Sequence, residues 1–170
     1  MKASVRLEGA DDAAAVRDVN QKAFAGPVEA RIVDAVRGSP GSISLVATVR
    51  GQVVAHILFT PVTIDPPPAR IRVAGLAPMA VLPDFQRLGI GGELIRAGFQ
   101  ECRRLEYSAI VVVGHPDYYP RFGFQPADTW GLKYVDPVPR EVFMAVELQS
   151  GALTDCSGIV RFRPEFAEAE

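Results

Sequence analysis

A glycine-rich junction between a strand and a helix constrains this chain more than any other segment. Residues 79–99 run MAVLPDFQRLGIGGELIRAGF, and Gly89, Gly91 and Gly92 lie where the apolar periodicity of a helix begins. Glycine inside a helix costs about 1 kcal/mol relative to alanine, so three of them at a helix start need a reason. A helix N-terminus has unpaired N–H groups and partial positive charge, and missing side chains let a phosphate approach them. The junction predicts either an anion-binding loop or only a tight turn with a helix cap.

Two common phosphate loops do not fit this segment. The P-loop requires a lysine and a serine or threonine after its last glycine, whereas Gly92 is followed by Glu93. The dinucleotide fingerprint requires a third glycine where Leu94 stands, and an acidic residue at the end of the next strand, where the chain has VVVGHP. In the dinucleotide fingerprint the glycines follow the strand directly, whereas in this chain PDFQR separates the strand from the first glycine.

The rest of the chain has no repeat and no linker, so its 170 residues predict one domain, residues 1–170. Apolar periodicity with capping residues predicts helices at 9–24, with Asp11 or Asp12 as N-cap, at 27–38, with Gly38 as C-cap, and at 91–105. Strands are predicted at 4–8, 42–50, 53–64, 71–82, 108–114, 142–148 and 158–162. Pro78 lies within one of them and indicates a bulge or a place where regular pairing stops.

Composition excludes several classes of function. A net charge of −2 gives no basic surface for nucleic acid. The apolar runs are too short to span a membrane, and the start MKASVRLEGADD has no apolar signal region. Cys102 and Cys156 form no CxxC pair, and with two histidines a metal site is not expected. These features predict a cytoplasmic protein without metal, nucleic-acid or membrane partners.

Several motifs together resemble the GNAT superfamily of acyl-CoA-dependent N-acyltransferases. QRLGIG at 86–91 matches the family's pyrophosphate loop, Q/R-x-x-G-x-G/A, and MAVLP at 79–83 resembles its cofactor-binding strand. YPRFGF at 119–124 is similar to its Y-x-x-x-G-F element. The longer segments GLAPMAVLPDFQRLGIGGELI, GHPDYYPRFGF, VFMAVELQSGAL and GIVRF resemble an uncharacterised bacterial group of predicted N-acetyltransferases. The resemblance covers nearly the whole chain.

This resemblance implies a mixed α/β (α+β) fold and acetyl-CoA as cosubstrate. The GNAT fold has a central, largely antiparallel twisted sheet, splayed between its fourth and fifth strands, with helices on both faces. Backbone groups freed at the splay pair with the pantetheine amides as an added strand would. The implied cofactor-binding residues are Met79, Ala80, Val81, Gln86, Arg87, Leu88, Gly89, Ile90, Gly91, Gly92, Gly114, Tyr118 and Phe122.

The family's chemistry assigns two catalytic groups. The motif register makes Tyr119 the general acid that protonates the departing thiolate, with Tyr118 as the reserve candidate. The backbone N–H of Val81 is the expected donor to the oxyanion. The alternative is that both tyrosines only pack beneath their loop. Many members carry an asparagine shortly after the strand before this motif, whereas this chain has His115 and Asp117 there.

The sequence leaves the base and the acceptor open. A lysine-like amine has a pKa near ~10, so a base or a water relay is useful. His56 is a base candidate, and Glu29 is a candidate for binding or deprotonating a cationic amine. His115 is a third, weaker option. The alternatives are a packed histidine at 56 and a solvated helix-start carboxylate at 29.

Two classes of function follow. The first is an N-acetyltransferase in which a primary amine of a small molecule or protein attacks acetyl-CoA directly. The second is an acyl-CoA-binding sensor or interaction module without turnover. The intact loop and Tyr119 favour the enzyme. A homodimer is expected from base rates alone.

Overall fold

The computed structural model describes residues 2–168. Its strands are β1 (Ser4–Leu7), β2 (Ile43–Val49), β3 (Gln52–Pro61), β4 (Thr63–Asp65), β5 (Val73–Val81), β6 (Ala109–Val113), β7 (Gln125–Pro126), β8 (Leu132–Tyr134), β9 (Phe143–Glu147) and β10 (Gly158–Arg161). Its α-helices are α1 (Ala13–Phe24), α2 (Val28–Val36), α3 (Ile90–Arg104) and α4 (Pro164–Glu168). All predicted helices and strands are present, but the strand predicted at 53–64 is divided into β3 and β4, and the short strands β7 and β8 were not predicted.

The sheet topology is mixed, as the sequence predicted. Seven strands form one sheet in the order β1-β2-β3-β5-β6-β9-β7, and three form a second in the order β4-β10-β8. In the larger sheet β1–β2, β2–β3, β6–β9 and β7–β9 are antiparallel pairs, while β5 and β6 run parallel. The β5–β6 ladder pairs Val73–Gly75 with Ala109–Val111, and the rest of β5 lies beyond this ladder. This is the strand pair that the GNAT resemblance implied would splay apart.

The chain divides into two compact units. Of the described residues, unit 1 comprises 2–59, Ala77–Glu101 and 164–168, and unit 2 comprises Thr60–Leu76 and Cys102–Arg163. In unit 1, the β2–β3 turn places Arg50 and Gly51 at φ 52° and 79°, the left-handed geometry that two-residue hairpins favour. Buried apolar side chains of unit 1 include Val16, Val19, Ile32, Val33, Val36, Leu45, Val46, Ile57, Phe59, Leu94 and Ile95.

Unit 2 has its own apolar core. Residues 109–112 of β6 are buried, as a continuous apolar strand predicts. The side chains packed around β6 and β9 include Ile64, Val73, Ala109, Val111, Ala127, Leu132, Phe143, Ala145, Leu153, Cys156 and Val160. Among residues 2–168, no helix combines the length and apolar character needed to cross a bilayer.

Two predicted helix caps differ in detail. Asp12 stands at the N-cap of α1 but makes no side-chain cap bond to it. Its carboxylate instead accepts hydrogen bonds from Arg6, at 2.6 and 3.0 Å, and from the Gly9 N–H at 2.6 Å. These contacts lower the pKa of Asp12 to about 2. At the end of α2 the C-cap is Arg37, and Gly38 follows it at φ 76°. The sequence located the helix end but placed the cap one residue late.

Candidate active site

The segment between β5 and α3 folds back on the strand it leaves. The Leu82 N–H donates to the Val54 carbonyl at 2.9 Å, and the Phe85 N–H donates to the Leu82 carbonyl at 2.8 Å. The Gln86 side-chain amide donates to the Val81 carbonyl at 3.0 Å. Gln86 therefore ties the loop to the end of β5, a positional role that its place in the motif did not reveal.

Gly89 gives the loop before α3 a left-handed backbone conformation. Gly89 has φ 84°, and a Cβ there would meet nothing within 4 Å, so the backbone conformation and not crowding favours glycine. The first helical hydrogen bond runs from the Glu93 N–H to the Gly89 carbonyl at 3.2 Å. The N–H groups of residues 90–92 precede that bond. Backbone donors at a helix start beside exposed glycine form the geometry that binds phosphate.

The end of β5 presents main chain outside the β5–β6 ladder. Met79 and Val81 are half-buried, while Ala80 between them is buried. The Ala77–Pro78 peptide bond is cis. Pro78 lacks an N–H and lies just beyond the paired residues Val73–Gly75. The pairing of β5 with β6 therefore stops before Pro78, as the proline predicted.

Tyr119 in unit 2 is a buried phenol. It begins a short 3₁₀ turn, Tyr119–Phe122, and is 8% exposed. Its ring makes edge-to-face contacts with Phe124, at 5.5 Å between centroids, and with Tyr118, at 5.2 Å. Burial raises the pKa of Tyr119 to about 12, and the neighbouring Tyr118 adds to the rise. The phenol is protonated at neutral pH, as an ordinary tyrosine also is.

The environment of Tyr118 differs from that of Tyr119. Tyr118 is half-buried, and the Arg121 guanidinium lies 5.2 Å from its ring centroid. The half-buried Phe122 packs against it at 5.4 Å. Gly114 precedes this segment, and its N–H donates to the Val142 carbonyl at 2.9 Å.

His56 lies in a buried polar chain within unit 1. The Asn20 Nδ2 donates to the Val16 carbonyl at 3.0 Å and to His56 Nδ1 at 3.1 Å. His56 Nδ1 is therefore the acceptor, and Nε2 carries the proton toward the Ser44 hydroxyl at 2.8 Å. Ser44 in turn donates to Glu8 at 2.5 Å. His56 is fully buried, and desolvation lowers its pKa to about 3.

A comparison with protein families identifies the chain. A family model described as the acetyltransferase (GNAT) domain matches residues 4–127. The chain belongs to the GNAT acetyltransferases. Membership makes it an acyl-CoA-dependent acetyltransferase, which confirms the family and the enzyme class that the motifs predicted.

Relatives of this GNAT acetyltransferase cover most of its length. It is 38% identical over 138 residues to the uncharacterised N-acetyltransferase YjhQ of Escherichia coli K12, covering 76% of this chain and 74% of YjhQ. The crystal structure of the E. coli GNAT N-acetyltransferase YhbS with CoA is similar at TM-score 0.91 and 28% identity, over 98% of this chain and 93% of that one. A Brucella melitensis GNAT acetyltransferase with acetyl-CoA is similar at TM-score 0.79 and 33% identity, over 97% and 98% of the two chains.

The acceptor-side candidates of this GNAT acetyltransferase have different surroundings. Glu29 is half-buried in the first turn of α2, and His115 is exposed. The full burial of His56 and its two hydrogen-bond partners favour the packed histidine that the sequence left as an alternative. Between residues 2 and 168, no group of three or more His, Cys, Asp or Glu side chains is arranged to hold a metal ion.

Proposed function

We propose that this GNAT acetyltransferase transfers the acetyl group of acetyl-CoA to a primary amine of a small molecule or protein by direct attack. The observation that carries the mechanism is that Tyr119, in the motif position of the family's acid, is buried with its ring held against Phe124 and Tyr118. Relatives that hold CoA and acetyl-CoA support the cosubstrate. Two buried cysteines without a disulfide agree with the cytoplasmic location that we also propose.

Main-chain groups hold the cofactor in this proposal. The N–H groups at the start of α3, from Leu88 to Gly92, bind the pyrophosphate, and the backbone of Met79 and Val81 pairs with the pantetheine amides. The bond from the Gln86 side-chain amide to the Val81 carbonyl holds this loop against the end of β5. Arg87, exposed beside Gly89, adds positive charge at the rim.

The chemical step forms one bond and breaks another. The uncharged amine nitrogen attacks the thioester carbonyl, and the Val81 N–H stabilises the oxyanion. Collapse breaks the carbon–sulfur bond, and Tyr119 gives its phenolic proton to the departing thiolate. The nitrogen loses its extra proton to a base or to water, and water returns a proton to Tyr119. Glu29 is proposed to attract a cationic acceptor. His56 is not carried into this mechanism, since its ring nitrogens are engaged.

Replacement of Tyr119 by phenylalanine tests the proposal. Tyr119→Phe keeps the ring and its packing, so CoA affinity should stay the same while kcat falls by roughly 10²-fold or more. Thiol release from acetyl-CoA across a panel of amines measures kcat, and calorimetry measures CoA affinity. Tyr118→Phe is the matched control and should cost clearly less.

Each contrary outcome has its own meaning. Greater damage from Tyr118→Phe would move the acid to the neighbouring residue. If neither substitution affects turnover on a validated acceptor, the tyrosine acid is refuted. Tight CoA binding without turnover on any amine would support the sensor module instead of the enzyme.

A further inference from the structure

Gly114 and the ring of Tyr119 compete for the same space. A Cβ at Gly114 would lie 2.4 Å from Cε2, 3.0 Å from Cδ2 and 3.4 Å from Cζ of Tyr119. The backbone of Gly114 lies outside the left-handed region, so its conformation does not demand glycine. The tyrosine ring is therefore what excludes a side chain at this position.

The ring is also supported on its other sides. Phe124, which is 2% exposed, meets it at an interplanar angle of 77°, and Tyr118 meets it at 87°. The backbones on both sides of the contact are bonded, since the Gly114 N–H donates to the Val142 carbonyl and the Tyr119 N–H donates to the His115 carbonyl. A side chain at Gly114 would therefore displace the ring from its present place.

We propose that Gly114 is a positioning residue for Tyr119, whose ring lies in the space that the missing side chain leaves and is thereby aimed for proton transfer. This inference rests on the proposed role of Tyr119 as the general acid. Carbon atoms in contact lie about 3.5–4.0 Å apart, so a methyl group at 114 moves the ring by about 1 Å. A misplacement of about 1 Å can cost on the order of 10²-fold in rate.

A double-mutant cycle tests whether Gly114 acts through the Tyr119 hydroxyl. Gly114→Ala should lower kcat by roughly 10- to 100-fold when residue 119 is tyrosine, and by less than about threefold in the Tyr119→Phe background. The Kd for CoA should change little. Gly75→Ala is the matched control, because its Cβ would crowd a different ring, that of Phe162, at 2.5 Å. Its effect on kcat should be the same with either residue at 119.

The outcomes separate this inference from the proposed function. Equal effects of Gly114→Ala in both backgrounds, or a weaker CoA affinity with unchanged kcat, would overturn the positioning role and leave the acid assignment intact. If Tyr119 is not the general acid, the single variant Tyr119→Phe should instead have an unchanged kcat. Ring position is measured without turnover by NMR of ¹³C-labelled tyrosine, where the Tyr119 signal is the one lost in Tyr119→Phe. Gly114→Ala must shift that signal, and an unshifted signal refutes the inference.

A second substitution covers the case in which Gly114→Ala fails to fold. Phe124→Leu removes the aromatic contact on Tyr119 while keeping an apolar side chain at the buried position. It should lower kcat in the Tyr119 background by at least about fivefold more than in the Tyr119→Phe background. Equal losses in the two backgrounds would show that the ring needs no such support.

Discussion

Valine at Gly91 should weaken CoA binding without weakening the fold. Gly91 is the second residue of α3, and its N–H precedes the first helical bond from the Glu93 N–H to the Gly89 carbonyl. A branched side chain there occupies space that the proposed pyrophosphate needs. Valine is also a better helix former than glycine by a few tenths of a kcal/mol, so the free protein should be as stable as before.

The magnitude follows from the backbone donors at the helix start. A hydrogen bond to a charged group contributes about 1.5–3 kcal/mol, so losing one lowers the affinity at least about tenfold. At a CoA concentration of about 100 times the wild-type Kd, binding stabilises the protein by about 2.7 kcal/mol. A tenfold weaker variant should gain only about 1.4 kcal/mol under the same conditions.

Calorimetric titration measures the affinity for CoA. Denaturant unfolding with and without CoA measures the stability of the free protein and the stabilisation that CoA adds. Gly26→Ala is a matched control, because Gly26 precedes another helix and a Cβ there meets only the Phe24 carbonyl at 3.9 Å. The control should bind CoA like the wild type. Unchanged CoA affinity in a folded Gly91→Val protein would refute the assignment of the phosphate loop.

Two further predictions concern stability. Gly98→Ala places a Cβ 2.3 Å from the fully buried Phe59 ring and should lower the free energy of unfolding by about 1–3 kcal/mol in urea titration, whereas a change below about 0.5 kcal/mol would contradict the packing. His56 has a folded-state pKa of about 3, below its unfolded value near 6.5, so its contribution is complete above pH ~6.5 and is lost as pH falls toward 3. Unfolding free energies between pH 7 and pH 4 should decline less steeply in a folded His56→Gln variant, and equal slopes would refute this.

The family and the fold could be predicted because their signals are local. The spacing of Gly89 and Gly91 reflects the backbone conformation and close approach that the loop needs within a few residues. The period of each apolar segment predicts whether it forms a helix or a strand. The short strands were missed because β7 and β8 have only 2 and 3 residues, too few to show a period. Their pairing partners lie far along the chain.

The environment of His56 could not be predicted for a different reason. Its partners Asn20 and Ser44 lie 36 and 12 residues away on other elements. Residues 53–60 of β3 are also buried throughout. Only the tertiary structure shows that both ring nitrogens are occupied.

Three glycines illustrate why a residue type alone does not reveal its purpose. Gly89 has open space around it, but its φ of 84° is a left-handed backbone conformation that residues with a side chain rarely adopt. Gly98 is helical and excludes a side chain because α3 lies against Phe59. Gly114 is neither left-handed nor helical, and the ring of Tyr119 occupies the space that a side chain at this position would need. The resemblance lists Gly114 among the cofactor-binding residues, and that assignment stays a prediction. The contact with Tyr119 links Gly114 to the proposed acid as well. We therefore expect substitution at Gly114 to affect mainly proton transfer, and substitution at Gly89 to affect mainly CoA binding.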